Sequence, residues 1–366
     1  MSIRARDVTP PAKPPARTKG GHANSTAEAS LSDWIPAAGA PSQPKRNKRP
    51  MLNEGQDGLF TQSWFVVCQS ADVKQGEVIG RGFLDGKVAI YRGANGKAQV
   101  LSSYCPHLGA DVSYGFVEGN NLQCPFHYWE YDQTGRCVKT GIGDKPPPKA
   151  CLFRFPTVER WGLIWAFNGE QALWELPDLP FPDDELYITT LEVKPFAADP
   201  WVGCCNTLDI HHFLVLHKLK MRQGEVEDKD IRWSTHSVTF DFKAYHWGDI
   251  PVDYRFGIFG TTLFYQETLL GGKWFTALAA MAMPKPGFSQ VFGIFATRRT
   301  ADMEESMKIN HYSMTLEKDF YEQDNRALSG IHFREGMMLK RDRTLSKFLD
   351  HLKRQPRAHP SRDFIR

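Results

Sequence analysis

Two short arms in the first half of the chain constrain its fold more than any other feature. One reads Cys105-Pro106-His107 and the other Cys124-Pro125-Phe126-His127, so each supplies one thiol and one imidazole. Together they make a four-ligand metal site, and the fold must bring two loops face to face to build it. Zinc sites of the finger type place two cysteines on one arm and two histidines on the other. The arms here are mixed, which argues against that arrangement, although a zinc-stapled binding module is the alternative to weigh.

Mixed arms suit a two-iron centre in which one iron takes both thiolates and the other both imidazoles, the Rieske [2Fe–2S] ligation. Neutral imidazoles in place of anionic thiolates raise the reduction potential of such a centre. The proline after each cysteine rigidifies the loop that holds it. Around the arms, short β-branched and aromatic runs such as "WFVVCQ", "KVAIYRG" and "RWGLIWAFNG" alternate with Gly and Asp and read as strands. Residues 56–172 are thus expected to be an all-β [2Fe–2S] domain with Cys105, His107, Cys124 and His127 as its ligands. The Pro-rich "WELPDLPFPDDE" marks its end.

The stretch "YCPHLGADVSYG…LQCPFHYWEYDQTGRC" resembles the Rieske domain of Rieske-type non-haem iron oxygenases. Tyr128 departs from the family, which usually has Gly after "CPFH". Respiratory Rieske proteins carry an additional disulfide between the two loops, and Ala110 and Phe126 stand where its cysteines would be. The oxygenase branch is therefore the better match. The single-chain layout and "VKTGIGDKPPPKA" resemble 3-ketosteroid 9α-hydroxylases and aminopyrrolnitrin-type oxygenases more than ring-hydroxylating αβ hexamers.

Residues 173–366 read as a second, α+β domain, a helix-grip-like antiparallel sheet with helices. Its strands include "YITTLEVKPF", "HSVTFDF", "WFTALAAMAM" and "QVFGIFATRR", and two helices are expected near 305–328 and 343–354. The segment "WVGCCNTLDIHHFLVLHKLK" (201–220) has helical apolar spacing and carries His212 and His217 five apart. On a regular helix i and i+5 do not share a face, so the helix must bend or end if both bind one metal. A ferrous centre of two histidines and one carboxylate leaves positions open for O2 and substrate. The D-x-x-H-x4-H spacing resembles the oxygenase family's mononuclear iron motif, and that resemblance implies roles for neighbouring residues. Asp209 matches the aspartate that hydrogen-bonds a histidine of this site and a cluster histidine of the next subunit. Asn206 matches an asparagine near the iron. The carboxylate ligand is expected on the helix "MTLEKDFYEQDNRAL", where Asp319 is the choice and Asp324 and Glu317 are the runners-up. His211, on another face, is read as exposed or as a core histidine.

Composition limits the partners. Residues 1–50 hold nine Lys/Arg against three Asp/Glu, so the remainder is slightly acidic and lacks the basicity that nucleic-acid binding needs. Residues 1–55, rich in Pro, Ala and Ser, are expected to be a disordered tail. The longest apolar run, "WFTALAAMAM", is too short for a membrane span. Seven cysteines with no secretory h-region fit a reducing, cytoplasmic setting. No G-x-G-x-x-G follows a strand, so electrons from NAD(P)H must arrive through a separate reductase, with or without a ferredoxin. The resemblance implies a head-to-tail homotrimer in which electrons cross a subunit boundary to the mononuclear Fe(II). There O2 is activated to hydroxylate, dealkylate, desaturate or N-oxidise an apolar, aromatic or steroid-like small molecule. Phe256, Phe259, Phe264, Tyr265 and Phe275 suit either an apolar pocket or the sheet core. The competing reading is a Rieske electron-transfer protein whose second domain only docks partners.

Overall fold

A computed structural model describes residues 53–246, 249–334 and 336–358. The expected disordered tail falls outside them up to residue 52. Described residues from Asn53 onward belong to one compact unit. Its first half is all β, as the punctuated strand runs require. Strands Val78–Phe83, Gly86–Arg92, Ala98–Ser102 and Arg154–Phe155 form one antiparallel sheet, and Trp64–Gln69, Leu163–Phe167 and Thr157–Arg160 form a second. They close over a core of Phe65, Phe83, Val88, Ile90, Val100 and Phe155, in which Phe83 meets Phe65 and Phe155 edge to face. A smaller sheet, Phe116–Glu118, Asn121–Gln123, Glu130–Tyr131 and Cys137–Lys139, carries the Cys/His arms.

The second half is a long antiparallel sheet. Its strands lie in the order Leu186–Phe196, Phe288–Arg298, Lys273–Lys285, Leu263–Leu270, Ile250–Phe259, Ser237–His246 and Lys220–Met221, with Ile231–Trp233 pairing Ser237–His246. Alternation of apolar and polar residues in strand 237–246 buries Phe240, Phe242 and Ala244 on one face. Among the described residues, four α-helices accompany the sheet: α1 (Pro200–Leu208), α2 (Ile210–Val215), α3 (Met303–Leu328) and α4 (Arg343–Leu352). Asp302 caps α3 by accepting from the Glu304 amide, and Asn310 ties α3 to the sheet by donating to the Phe295 carbonyl at 2.9 Å. Thr344 of α4 donates to the Leu208 carbonyl at the end of α1 at 2.9 Å.

The α+β architecture agrees with the sequence reading, but the two halves are not beads on a string. Trp64, Trp165 and Phe167 of the first half share one core with Leu263, Leu278, Ala280 and Ile294 of the second. Phe60–Thr61 pairs with Arg357–Ala358, so the last described strand returns to the first. No helix among the described residues is long and apolar enough to cross a membrane.

One buried group on α4 makes the fold acid-sensitive. His351 is pushed down to about 4 by burial, with Arg354 and His236 adding to the shift. The unfolded chain takes up a proton near pH 6.5, which the folded protein refuses until about pH 4. Stability from this group is therefore complete above about pH 6.5 and is lost as pH falls toward 4, by about 3 kcal/mol. Melting temperatures across this range should fall less steeply in His351→Gln than in the parent.

Candidate redox and metal centres

The two arms fold as near copies of one loop. In the first, the Cys105 amide donates to the Ala110 carbonyl at 2.9 Å and the Gly109 amide to the Cys105 carbonyl at 2.8 Å. In the second, the Cys124 amide donates to the Trp129 carbonyl at 2.8 Å and the Tyr128 amide to the Cys124 carbonyl at 3.2 Å. The fourth residue after each cysteine sits in the left-handed region, Gly109 at φ 75° and Tyr128 at φ 53°. That conformation suits glycine and strains a residue with a Cβ, which explains why the family's usual glycine fits at position 128. Tyr128→Gly should raise stability by about 1 kcal/mol, read as a shift in the denaturation midpoint. A fall in stability would mean that the half-exposed Tyr128 side chain contributes more than its backbone costs.

The loops bury their thiols, while one imidazole is exposed and the other, His127, is partly buried. Cys105 and Cys124 are 3% and 1% exposed, whereas His107 is exposed and its ring lies 4.6 Å from that of His127. Trp129 stacks on His107 at 4.6 Å. The Cys105 thiol is drawn down to about 6, first by its hydrogen bond with Cys124 and then by the Tyr131 hydroxyl, 2.9 Å from its sulfur. A pair of buried thiols, one of which ionises readily, beside a pair of less buried imidazoles fits a group with unequal ends. Hydrogen bonds to the sulfurs are among the features that set the potential of an iron–sulfur group. None of the seven cysteines is in a disulfide.

The second centre depends on a broken helix. Asp209, at φ −86° and ψ 80°, separates α1 from α2, and α2 ends at Val215. The His217 amide donates to the His212 carbonyl at 3.3 Å, an i to i+5 turn that brings the two rings within 5.0 Å. The His212 Nδ1–H donates to the Asp209 backbone carbonyl at 2.5 Å, and the His217 Nδ1–H to Gln323 Oε1 at 3.2 Å. Both bonds leave Nε2 as the free acceptor. Asp324 of α3 meets them, with Oδ1 3.2 Å from His217 Nε2 and 4.0 Å from His212 Nε2.

Three acceptors thus converge, and Asp324 Oδ1 has no hydrogen-bond partner among the described residues. Burial holds His212 below its ordinary pKa, so its lone pair is available. Two imidazoles and a carboxylate with open space beside them fit a ferrous centre.

The expected carboxylate is corrected here. Asp319 is exposed, and five residues along α3 turn it about 140° away from Asp324. Glu317 lies two turns before Asp324 on the same face, outside the cluster formed by His212, His217 and Asp324. Burial raises Glu317 to about 7, opposed by its hydrogen bond from Gln266. Within the chain the Asp209 backbone carbonyl holds His212, while its side chain clusters with His211 and Asp342. His211 is neither exposed nor in the core; its Nδ1 lies 3.0 Å from Asp342 Oδ1. Asn206 lines the cavity beside His212.

That cavity, about 650 Å³, lies between α3 and the sheet, with His212, His217 and Asp324 in its wall. Phe256 and Phe264 line it, whereas Phe259 and Tyr265 pack in or against the core shared with the first half. Phe275 is buried against Tyr312.

The Rieske [2Fe-2S] domain family matches residues 63–150, which contain all four residues of the two arms. The chain carries a Rieske domain. Cholesterol 7-desaturase of Bombyx mori is 34% identical over 125 residues, 33% of this chain and 28% of that protein. The 4beta-methylsterol monooxygenase of Methylococcus capsulatus is 34% identical over 144 residues, 38% of each chain. This chain thus spans well under half of those relatives' length. The structure of Pseudomonas putida CBB5 NdmA with caffeine superposes with a TM-score of 0.63 at 18% identity, covering 79% of this chain and 89% of that one. The likeness extends well beyond the Rieske domain and takes in most of the second half.

Proposed function

We propose that the chain is the terminal oxygenase component of a Rieske-type system acting on an apolar small molecule. One observation carries the reading: a Rieske ligand set and a convergent His212, His217 and Asp324 cluster, set in an apolar cavity, occur on the same chain. When bound, a [2Fe–2S] group at Cys105, His107, Cys124 and His127 would pass electrons, and a ferrous ion at His212, His217 and Asp324 would activate O2.

The chain's own residues do the rest. The Asp209 carbonyl and Gln323 fix the imidazole tautomers and aim both Nε2 atoms at one point. Phe256, Phe264 and Leu278 shield the cavity from water and receive an apolar skeleton. The imidazole of His107 reaches the protein surface, where a head-to-tail trimer would bring it to the Asp209 face of the next subunit. Electrons come from a separate reductase, since the chain has no dinucleotide fingerprint.

Anaerobic purification followed by iron and sulfide quantitation, EPR and O2 uptake tests the proposal. The expected result is about three irons per chain, a rhombic signal on reduction, and O2 uptake that requires both reductase and an apolar substrate. About two irons and no such uptake would leave an electron-transfer protein.

A further inference from the structure

The cavity wall is mainly apolar, and one cluster of polar side chains stands in it away from the iron-site histidines. Glu317 stands partly buried in its wall, and its Oε1 accepts from Gln266 Nε2 at 2.5 Å. Gln266, 3% exposed, also donates from the same nitrogen to Thr268 Oγ1 at 3.1 Å, which anchors the amide against the sheet. Tyr254, 3% exposed, lines the cavity from the adjacent strand, and its hydroxyl has no hydrogen-bond partner among the described residues. Strand register makes the pair diagonal neighbours, because Phe256 lies opposite Gln266 and Tyr254 opposite Thr268. A buried hydroxyl left without a partner is costly, and a ligand atom that satisfies it removes the cost.

We propose that Glu317, Gln266 and Tyr254 form a polar subsite that grips a hydroxyl group at one end of an otherwise apolar, uncharged substrate. The inference rests on the reading of this cavity as the oxygenase substrate site and names the substrate class. A hydroxyl both donates and accepts, so it can complete the carboxyl of Glu317 and the unpartnered Tyr254 together.

Anions are selected against. The cavity's interior charges are the carboxyls of Glu317 and Asp324, and its two lysines, Lys194 and Lys318, are exposed. A negative charge held at this end would sit against the Glu317 carboxyl, and a ferrous ion at Asp324 would lie about two helical turns away from it. Glu317 and Asp324 are seven residues apart on one helix, roughly 10 Å along its axis. The gripped hydroxyl therefore lies several bonds away from the carbon presented to the histidine cluster.

The test is anaerobic isothermal titration of the iron-loaded full chain with two matched series. These are cholesterol, cholest-5-ene and cholesterol sulfate, and 2-naphthol, naphthalene and 2-naphthoate. In at least one series the alcohol should bind about tenfold more tightly than both its hydrocarbon and its anion. Glu317→Ala should erase the preference over the hydrocarbon, while Glu317→Gln should keep it and weaken the discrimination against the anion. The visible spectrum and melting temperature report folding. If Glu317→Ala does not fold, Tyr254→Phe, which removes one hydroxyl, should still reduce the preference severalfold.

Equal binding within both series, absence of binding in both, or a preference unchanged in the folded variants would overturn the subsite. Binding needs no turnover, so the two proposals can fail separately. Hydroxyl preference without substrate-dependent O2 uptake would sink the oxygenase reading alone. O2 uptake without hydroxyl preference would sink the subsite alone.

Discussion

Replacing Asp324 with alanine should lower the iron content from about three to about two per chain and reduce substrate-dependent O2 uptake by at least about 100-fold. The cluster's rhombic EPR signal should remain, because Asp324 lies on α3 and the cluster loops lie on a separate small sheet. The reason is electrostatic as well as geometric. His212 and His217 present lone pairs fixed by bonds to the Asp209 carbonyl and Gln323, and Asp324 supplies the negative charge that balances a divalent cation there. Without it, two neutral imidazoles hold the metal with a neutral, two-point grip. Asp319→Ala is the matched control on the same helix, and full iron content and activity are expected of it because Asp319 is exposed and turned away. Iron loss in Asp319→Ala with retention in Asp324→Ala would reverse the assignment.

Cys124→Ser should give the complementary deficit, about one iron per chain and no [2Fe–2S] chromophore. Cys124 is 1% exposed and lies beside Cys105, so the serine hydroxyl would enter a buried site as a neutral group where a thiolate is needed. The mononuclear site should keep its metal, but O2 uptake should fall to background because no electrons reach it. Cys68→Ser serves as the control. Its thiol is buried in the core of the first half and burial pushes it up to about 12, so it is a packing residue and its loss should cost stability but no iron. The pair of deficits, one iron from Asp324→Ala and two from Cys124→Ser, distinguishes two centres from one. A colourless parent protein would refute both predictions at once.

The cluster arms were legible because each ligand pair is contiguous and every departure from a zinc pattern is visible in a few letters. The His212 and His217 spacing was legible for a different reason: five residues do not fit a regular helix, which forced the expectation of a break. The structure puts a break at Asp209, before either histidine, and a second end at Val215. The carboxylate was harder, since it lies about a hundred residues away and several acids share its helix. The helix phase contained the answer. Counting by fours from Phe320, which packs on His217, reaches Asp324, and counting back by three reaches Glu317, while Asp319 is exposed and about 140° round the helix from Asp324. The polar subsite was beyond sequence reasoning, because Tyr254, Gln266 and Glu317 come from three elements brought together only by strand register and helix docking. Shared packing between the halves was hidden for the same reason: Trp64 and Leu278 carry no mark of belonging to one core.

The pairing of Phe60–Thr61 with Arg357–Ala358 has a consequence for modular exchange. Around this ribbon, Asn168 donates to the carbonyls of Phe60 and Ala358 at 3.1 and 3.2 Å, and Arg357 donates to those of Asn53 and Leu59 at 2.8 Å. The electron-carrying half is therefore laced shut by a strap from the far end of the chain. A chimera that swapped residues 56–172 alone for those of a relative would bring in a new edge and leave the old strap to bind it. Grafts that carry both strands together keep the lacing intact, and they are the natural unit in which such a redox module can be transplanted.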